Sequence, residues 1–370
     1  MSKPPLYVTR PQLPPLEEFV TELKSIWASR ILTNSGPYHE KLEAALSAML
    51  DVPYISLFNN GTVALQTALD ALNLKGEIIT TPYSFVATSH CILKSGCTPV
   101  FADVNASTLN LDPTAIEAAI TPATTAILPV HCYGRPCDVD AIGSIAAKHN
   151  LAVVYDAAHA FGVSCHCGSV LNHGDLSILS FHATKVFNTF EGGAIVSRDA
   201  AMKSRIDKLR NFGFVDEVTV VDVGGNGKMS ELNAALGLLQ LKYYDQAVAS
   251  RREIDAAYRE RLSIIKGITC VGPAAQEGHN YSYFPVLVEN DFAVSRDVLC
   301  QCFRDANIYA RRYFYPLISA FPMYCELPSA DPAHLSVAAD AASKVLCLPI
   351  FPGMTGEQMD AVMGVIEGVS

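Results

Sequence analysis

The chain has 370 residues, half of them hydrophobic, and a formal net charge of −10. That length can bury a large core and suits two domains better than one. The acidic balance argues against a general nucleic-acid binder, which carries a basic face, and no apolar run is long enough to cross a bilayer.

The opening residues Met1, Ser2, Lys3, Pro4 and Pro5 are polar and proline-rich. They offer no apolar segment suited to a signal peptide, so a cytoplasmic protein is expected. From Tyr54 onward, short apolar runs alternate with segments of helical period. Strands are expected at Tyr54–Phe58, Glu77–Thr81, Thr98–Asp103, Ala126–His131 and Ala152–Asp156. Helices are expected between them at Thr62–Leu72, Ser84–Lys94, Pro113–Ile120 and Val139–His149. Such alternation means an α/β domain with a mostly parallel sheet. Ligands in such sheets bind beyond the carboxyl ends of the strands. Ser230–Leu262 reads as a long helical stretch, open to a break, that leads into a second unit. After Gly267 come a strand (Tyr281–Val288), a helix (Ser295–Ala306), an irregular aromatic segment (Tyr309–Tyr324) and two helices (Ala333–Lys344, Gly356–Glu367). The expected division is a large domain over 1–245 and a small α+β domain over 246–370.

The chain has eleven cysteines. The closest sets, Cys132/Cys137, Cys165/Cys167 and Cys300/Cys302, make no Cys-x-x-Cys spacing. Cys165-His166-Cys167, with His159 and His173 nearby in sequence, is the best metal-ligand grouping. Free cysteine is more often a small buried hydrophobe, and no metal is expected.

Three segments carry residues suited to chemistry. In Asn59-Asn60-Gly61-Thr62, a glycine before a helix lets a ligand approach the backbone, and the helix start suits phosphate. The alternative is a glycine turn with a threonine cap. Val153-Val154-Tyr155-Asp156 ends a buried strand in a carboxylate, which can face a cationic atom or simply cap the next helix. Ser177–Lys185 ends an apolar strand near a lysine. A dry crevice would lower its pKa, as an amine nucleophile requires; on the surface it would only snorkel. Together, a phosphate cradle, a strand-end carboxylate and a strand-end lysine are the parts that hold pyridoxal phosphate.

The motif Ser180-Phe181-His182-Ala183-Thr184-Lys185, followed by Glu191-Gly192-Gly193, resembles that of the DegT/DnrJ/EryC1/StrS sugar aminotransferases. So does Asp156-Ala157-Ala158-His159, with Asp156 placed 29 residues (185 − 156) before the lysine. The resemblance runs from Thr33-Asn34-Ser35-Gly36-Pro37 to Val345-Leu346-Cys347-Leu348-Pro349. It implies the fold-type I, aspartate aminotransferase-like architecture, with pyridoxal phosphate in the large domain and homodimers whose active sites lie at the subunit interface. It also implies roles: Lys185 as Schiff-base lysine and acid–base, Asp156 as partner of the ring nitrogen, and His159 near the ring hydroxyl. Phe85 matches the aromatic that stacks on the ring. Gly61, Thr62 and Ser180 match phosphate contacts, and Asn226 matches an asparagine reaching in from the neighbouring subunit.

Two positions depart from the family pattern. Asn226-Gly227-Lys228-Met229 has a lysine where many members have arginine, and Phe314-Tyr315-Pro316 lacks a histidine that commonly precedes Tyr-Pro. Arg311 and Arg312 are natural substitutes, because guanidinium groups bind diphosphate well. Lys228, Arg311, Arg312 and Tyr315 are therefore the expected substrate contacts. These segments, with Arg210-Asn211-Phe212-Gly213-Phe214 and Phe187-Asn188-Thr189-Phe190, look most similar to the branch acting on dTDP-4-keto-6-deoxyglucose with L-glutamate as donor. A 3-keto sugar or a UDP- or GDP-linked ketone is the alternative. A family dehydratase would carry histidine in place of Lys185. A nicotinamide enzyme would need a Gly-x-Gly-x-x-Gly turn after the first strand, which Gly224-Gly225-Asn226-Gly227 does not supply. A regulatory, non-catalytic protein is the reading from another class.

Overall fold

A computed structural model describes residues 4–272 and 278–370; of the polar opening segment, Met1, Ser2 and Lys3 lie outside the described residues. A seven-stranded sheet forms the centre of the larger part. Its order is Tyr54–Phe58, Gly193–Ser197, Leu176–Ser180, Ala152–Asp156, Thr124–Leu128, Glu77–Thr80, Thr98–Phe101. From Leu176–Ser180 outward to Thr98–Phe101 all pairings are parallel, and Gly193–Ser197 runs antiparallel to both its neighbours. The α/β architecture expected from the alternation is the one observed. Strands such as Ala152–Asp156 and Leu176–Ser180 are apolar almost throughout because helices cover both faces. Apolar clusters on the two sides hold Leu57, Phe181 and Leu179 on one face and Phe58, Ile178 and Val154 on the other.

Several boundaries moved for physical reasons. The strand expected over Ala126–His131 is Thr124–Leu128; Pro129 has no N–H to continue the ladder. The helix expected from Ser84 starts at Ala87, leaving Ser84 and Phe85 in the turn above the sheet. The strand expected from Tyr281 starts at Phe284, since Tyr281 has φ of 53° and cannot lie in a ladder. The stretch from Glu231 to Leu262 is one unbroken helix of 32 residues. Ser230 caps it by accepting a hydrogen bond from the Asn233 N–H at 3.3 Å.

That long helix fixes the rest. Glu231, in its first turn and buried, accepts hydrogen bonds from the N–H groups of Tyr38 (2.8 Å) and His39 (2.9 Å), which open the helix Pro37–Leu50. At its far end, Ile254, Tyr258 and Leu262 enter the C-terminal core. There a three-stranded antiparallel sheet (Ile268–Cys270, Phe284–Val288, Val345–Leu348) packs against Arg296–Asp305 and Gly356–Glu367. Leu6–Tyr7, near the chain start, pairs with Ile308–Tyr309, and Leu6 is buried in the same core. The position 245/246 falls inside the long helix. Among the described residues no helix is long and apolar enough to cross a membrane.

Candidate functional site

The carboxyl ends of the central strands open onto a cavity of about 710 Å³. Its floor is the sheet, and part of its wall comes from the C-terminal residues Tyr283, Tyr313 and Phe314.

Asp156 is the last residue of its strand and is buried. One carboxylate oxygen accepts from the Thr88 hydroxyl at 2.9 Å, the other from the Ala158 N–H at 3.1 Å. Burial raises its pKa, and the hydrogen bonds from Thr88 and Ala158 and the Lys185 charge oppose that rise. Two donors hold the carboxylate in place while its charge remains poorly compensated. Such a group is arranged to receive a cation.

Lys185 leaves the turn that follows Leu176–Ser180, with its N–H donating to the His182 carbonyl at 2.9 Å. The residue is half-buried and lines the cavity. The amine is enclosed by protein, and this desolvation lowers its pKa to about 8, against a smaller raising effect of Asp156. Its Nζ donates to the Tyr283 hydroxyl at 3.4 Å. A lysine tuned to this range supplies free amine close to neutral pH.

His159 is buried, and its Nδ1 accepts from the Tyr133 N–H at 3.3 Å. That leaves the neutral ring's proton on Nε2. Burial, and secondarily the Lys185 charge, holds its pKa well below the usual histidine value. The ring lies parallel to Phe314 and edge-on to Tyr283, with centroids 6.0 Å and 4.9 Å away.

An anion cradle also lines the cavity. Asn60 caps the helix Gly61–Ala71 by accepting from the Val63 N–H at 2.8 Å, and Ala64 makes the first intrahelical bond, to the Asn60 carbonyl. The N–H groups of Gly61 and Thr62 precede that bond and point out of the helix end. A Cβ on Gly61 would lie 2.9 Å from Cβ of Ser180, so only glycine lets the loop and the strand end approach this closely. Phe85 lines the cavity and is 61 % exposed. A large aromatic face left open over a pocket is suited to stacking on a flat ligand.

The geometry therefore gathers Lys185, Asp156, His159, Phe85, Gly61, Thr62 and Ser180 around one cavity. The other expected residues stand outside it in the single chain. Asn226 is exposed, with its carbonyl accepting from the Asn59 side chain at 3.2 Å. Lys228 donates to the Asn211 side chain at 2.7 Å and lies 5.1 Å over the Phe212 ring. Arg311 is exposed and uses its backbone to pair with Cys347. Arg312 binds Asp297 at 2.9 Å and, with Arg296, flanks the Tyr315 ring. Between these outward residues, Tyr313 and Phe314 are the ones that reach the cavity. Sequence reasoning missed Thr88, Tyr283, Tyr313 and Phe314. Thr88 sits one helical turn from Phe85, a spacing that could have flagged it.

Residues 16–367 match the DegT/DnrJ/EryC1/StrS aminotransferase family. The dTDP-4-amino-4,6-dideoxy-D-glucose transaminase of Shigella dysenteriae is 54 % identical over 365 residues, covering 99 % of each chain. The Escherichia coli protein of the same name is 51 % identical over 351 residues, covering 95 % of each. Among solved structures, DesI in the presence of its TDP-sugar product has a TM-score of 0.92 at 33 % identity, covering 99 % of this chain and 94 % of that one. PseC of Helicobacter pylori, an aminotransferase of pseudoaminic acid biosynthesis, has a TM-score of 0.92 at 28 % identity, covering 99 % of each chain.

Proposed function

Because the chain belongs to the DegT/DnrJ/EryC1/StrS aminotransferase family, we propose that it moves an amino group from L-glutamate to dTDP-4-keto-6-deoxyglucose, giving dTDP-4-amino-4,6-dideoxyglucose. The observation that carries this reading is full-length identity above half to the Shigella dysenteriae transaminase, joined to a cavity in which a lysine amine with pKa near 8 faces a buried carboxylate.

The family's cofactor is pyridoxal phosphate, and the donor set fits it. Gly61, Thr62 and Ser180 would hold the phosphate, Phe85 would cover a ring face, Asp156 would meet the ring nitrogen, and His159 would stand beside the ring. Lys185 would carry the cofactor covalently. When bound, the cofactor supplies an electron sink for the carbanion left by proton removal. Asp156 would keep a proton on the ring nitrogen, and the resulting cation would compensate a carboxylate whose charge burial disfavours. The Lys185 amine takes the α-proton of the donor and later returns a proton to the keto carbon of the sugar. Tyr283 orients that amine through their hydrogen bond. The aromatic wall of Tyr283, Tyr313 and Phe314 limits water around it.

The partners proposed are the nucleotide-linked keto sugar, L-glutamate and a second copy of the chain. Apolar surface open to solvent supports the last. Val218, Val221 and Val223 are exposed on the segment just before Asn226, and Trp27 is 74 % exposed. A second copy covering that surface would place Asn226 and Lys228 at a shared site. Among the cysteines, none forms a disulfide, which suits the cytoplasmic setting we propose.

Two substitutions test the local assignments. Gly61→Ala puts a methyl group against Ser180 and is expected to weaken cofactor retention about 10-fold, or ~1.4 kcal/mol; titration of apoprotein with pyridoxal phosphate measures it. An unchanged affinity would remove Gly61 from the cradle. Tyr283→Phe removes an acceptor that favours the charged amine. We expect kcat about 10-fold lower, KM for glutamate little changed, and the amine's titration midpoint displaced below the wild-type value. Identical pH profiles for variant and wild type would refute this role.

The function itself is tested by converting the protein to its amine-loaded form with L-glutamate, removing the donor and adding dTDP-4-keto-6-deoxyglucose. Return of the yellow colour and an NMR assignment of the 4-amino product are expected. Response to glutamate without response to this sugar would sink the substrate and direct attention to 3-keto and UDP- or GDP-linked ketones.

A further inference from the structure

The connection between the strand ending at Asp156 and the strand beginning at Leu176 carries a grouping that the reaction does not use. Ser164–Cys165 and Gly168–Ser169 form a small antiparallel hairpin, and His173 follows the turn Val170–Asn172. Gly168, with φ of 108°, allows the tight reversal that brings Cys167 back onto Cys165. The Sγ atoms of Cys165 and Cys167 are 3.3 Å apart, and His173 Nε2 lies 3.4 Å from the first and 3.2 Å from the second. Cys167 is exposed, while Cys165 and His173 are half-buried. None of the three lines the cavity. His159, grouped with them by sequence proximity, is in the cavity instead.

We propose that Cys165, Cys167 and His173 form a surface site for a thiophilic divalent cation of the zinc type, separate from the catalytic cavity. Three soft or borderline donors meet in one triangle, from two turns of the same connection. An ion about 2.3 Å from each sulfur and about 2.1 Å from the nitrogen would sit about 1.2 Å off their plane, leaving a fourth tetrahedral position to water. Two thiolates and an imidazole select zinc over magnesium or calcium, which take oxygen ligands. Binding of Zn²⁺ would release two protons, one from each thiol, and leave the histidine neutral; the site then carries no net charge. The hairpin has no core of its own, so the ion would act as a staple. It would tie the hairpin to the base of the strand that runs to Ser180 and on to Lys185. The three donors share no residue with the cavity.

The test uses untagged holoenzyme kept under a phosphine reductant, stripped with a chelator, dialysed against dilute zinc chloride and passed through a desalting column. Mass spectrometry of the eluted protein is expected to find one zinc per chain. Cys167→Ser and His173→Asn should each reduce this to background and keep wild-type transamination, which also shows that both variants fold. Zinc should raise the unfolding midpoint of the wild type and of neither variant. Zinc retained equally by wild type and both variants would overturn the site, as would no retention by the wild type.

Discussion

Lys185→Ala is expected to lower transamination by about 10³-fold or more, the scale of removing a positioned acid–base group, while the protein remains folded. The reasoning rests on geometry first. The Lys185 amine donates to the Tyr283 hydroxyl and feels the charge of the buried Asp156, in the cavity that Phe85 also lines. Alanine removes both the covalent attachment and the proton carrier and leaves the strand end intact. Single-turnover measurement with amine-loaded protein separates the two losses. Residual activity within 10-fold of wild type would move the catalytic assignment elsewhere. The lowered pKa gives a second signature. A protonated amine cannot attack the cofactor aldehyde, so the rate of cofactor uptake by apoprotein should rise as pH increases and level off above about 8. For stability the sign is the same. The unfolded chain holds a proton on this lysine up to its ordinary 10.5, so wild-type apoprotein should gain stability relative to Lys185→Ala between pH of about 8 and 10.5.

Asp156→Asn should reduce kcat by about 10²- to 10³-fold, the range for removing one preorganised electrostatic partner. Asparagine keeps the shape and can still hydrogen-bond Thr88 and the Ala158 N–H, so the cofactor should still bind. What is lost is the negative charge that holds a proton on the ring nitrogen. The apoprotein should respond in the opposite sense. Burial raises the Asp156 pKa in the fold, so the native state binds the proton more tightly than the unfolded chain. Stability is therefore present below the ordinary 3.8 and is lost as pH rises through the raised folded value. The variant lacks this slope. Urea unfolding of both apoproteins across that range measures it, and an apo variant clearly less stable than wild type at neutral pH would contradict the burial argument.

The strand ends were legible because fully covered parallel strands leave continuous apolar runs. The residue that breaks each run, Asp156 or the segment leading to Lys185, stands out. The anion cradle was legible for a similar local reason, since glycine before a helix start is a short-range pattern. The aromatic wall was not. No spacing links Tyr283 to Lys185, 98 residues earlier, and only packing of the C-terminal unit brings them together. Arg311, Arg312 and Tyr315 illustrate the converse. They flank Tyr313 and Phe314 in sequence, yet the chain turns those two residues inward and leaves their neighbours to Asp297, Arg296 and the Cys347 backbone. The helix Pro37–Leu50 had a usable signal in Pro37 at its first position. The partner of its free N–H groups, Glu231, is far away in the chain and could be found only in the fold.

The helix Glu231–Leu262, about 48 Å long at 1.5 Å per residue, bears on how this protein could be recombined with its relatives. A chimera joined at a single point after residue 245 would cut a helix that serves two cores, and would separate Leu6–Tyr7 from the strand Ile308–Tyr309 that it completes. A workable exchange of the cavity's aromatic wall is a two-segment graft. It takes the first strand together with everything after Leu262, and leaves the helix and its Glu231 anchor with the host.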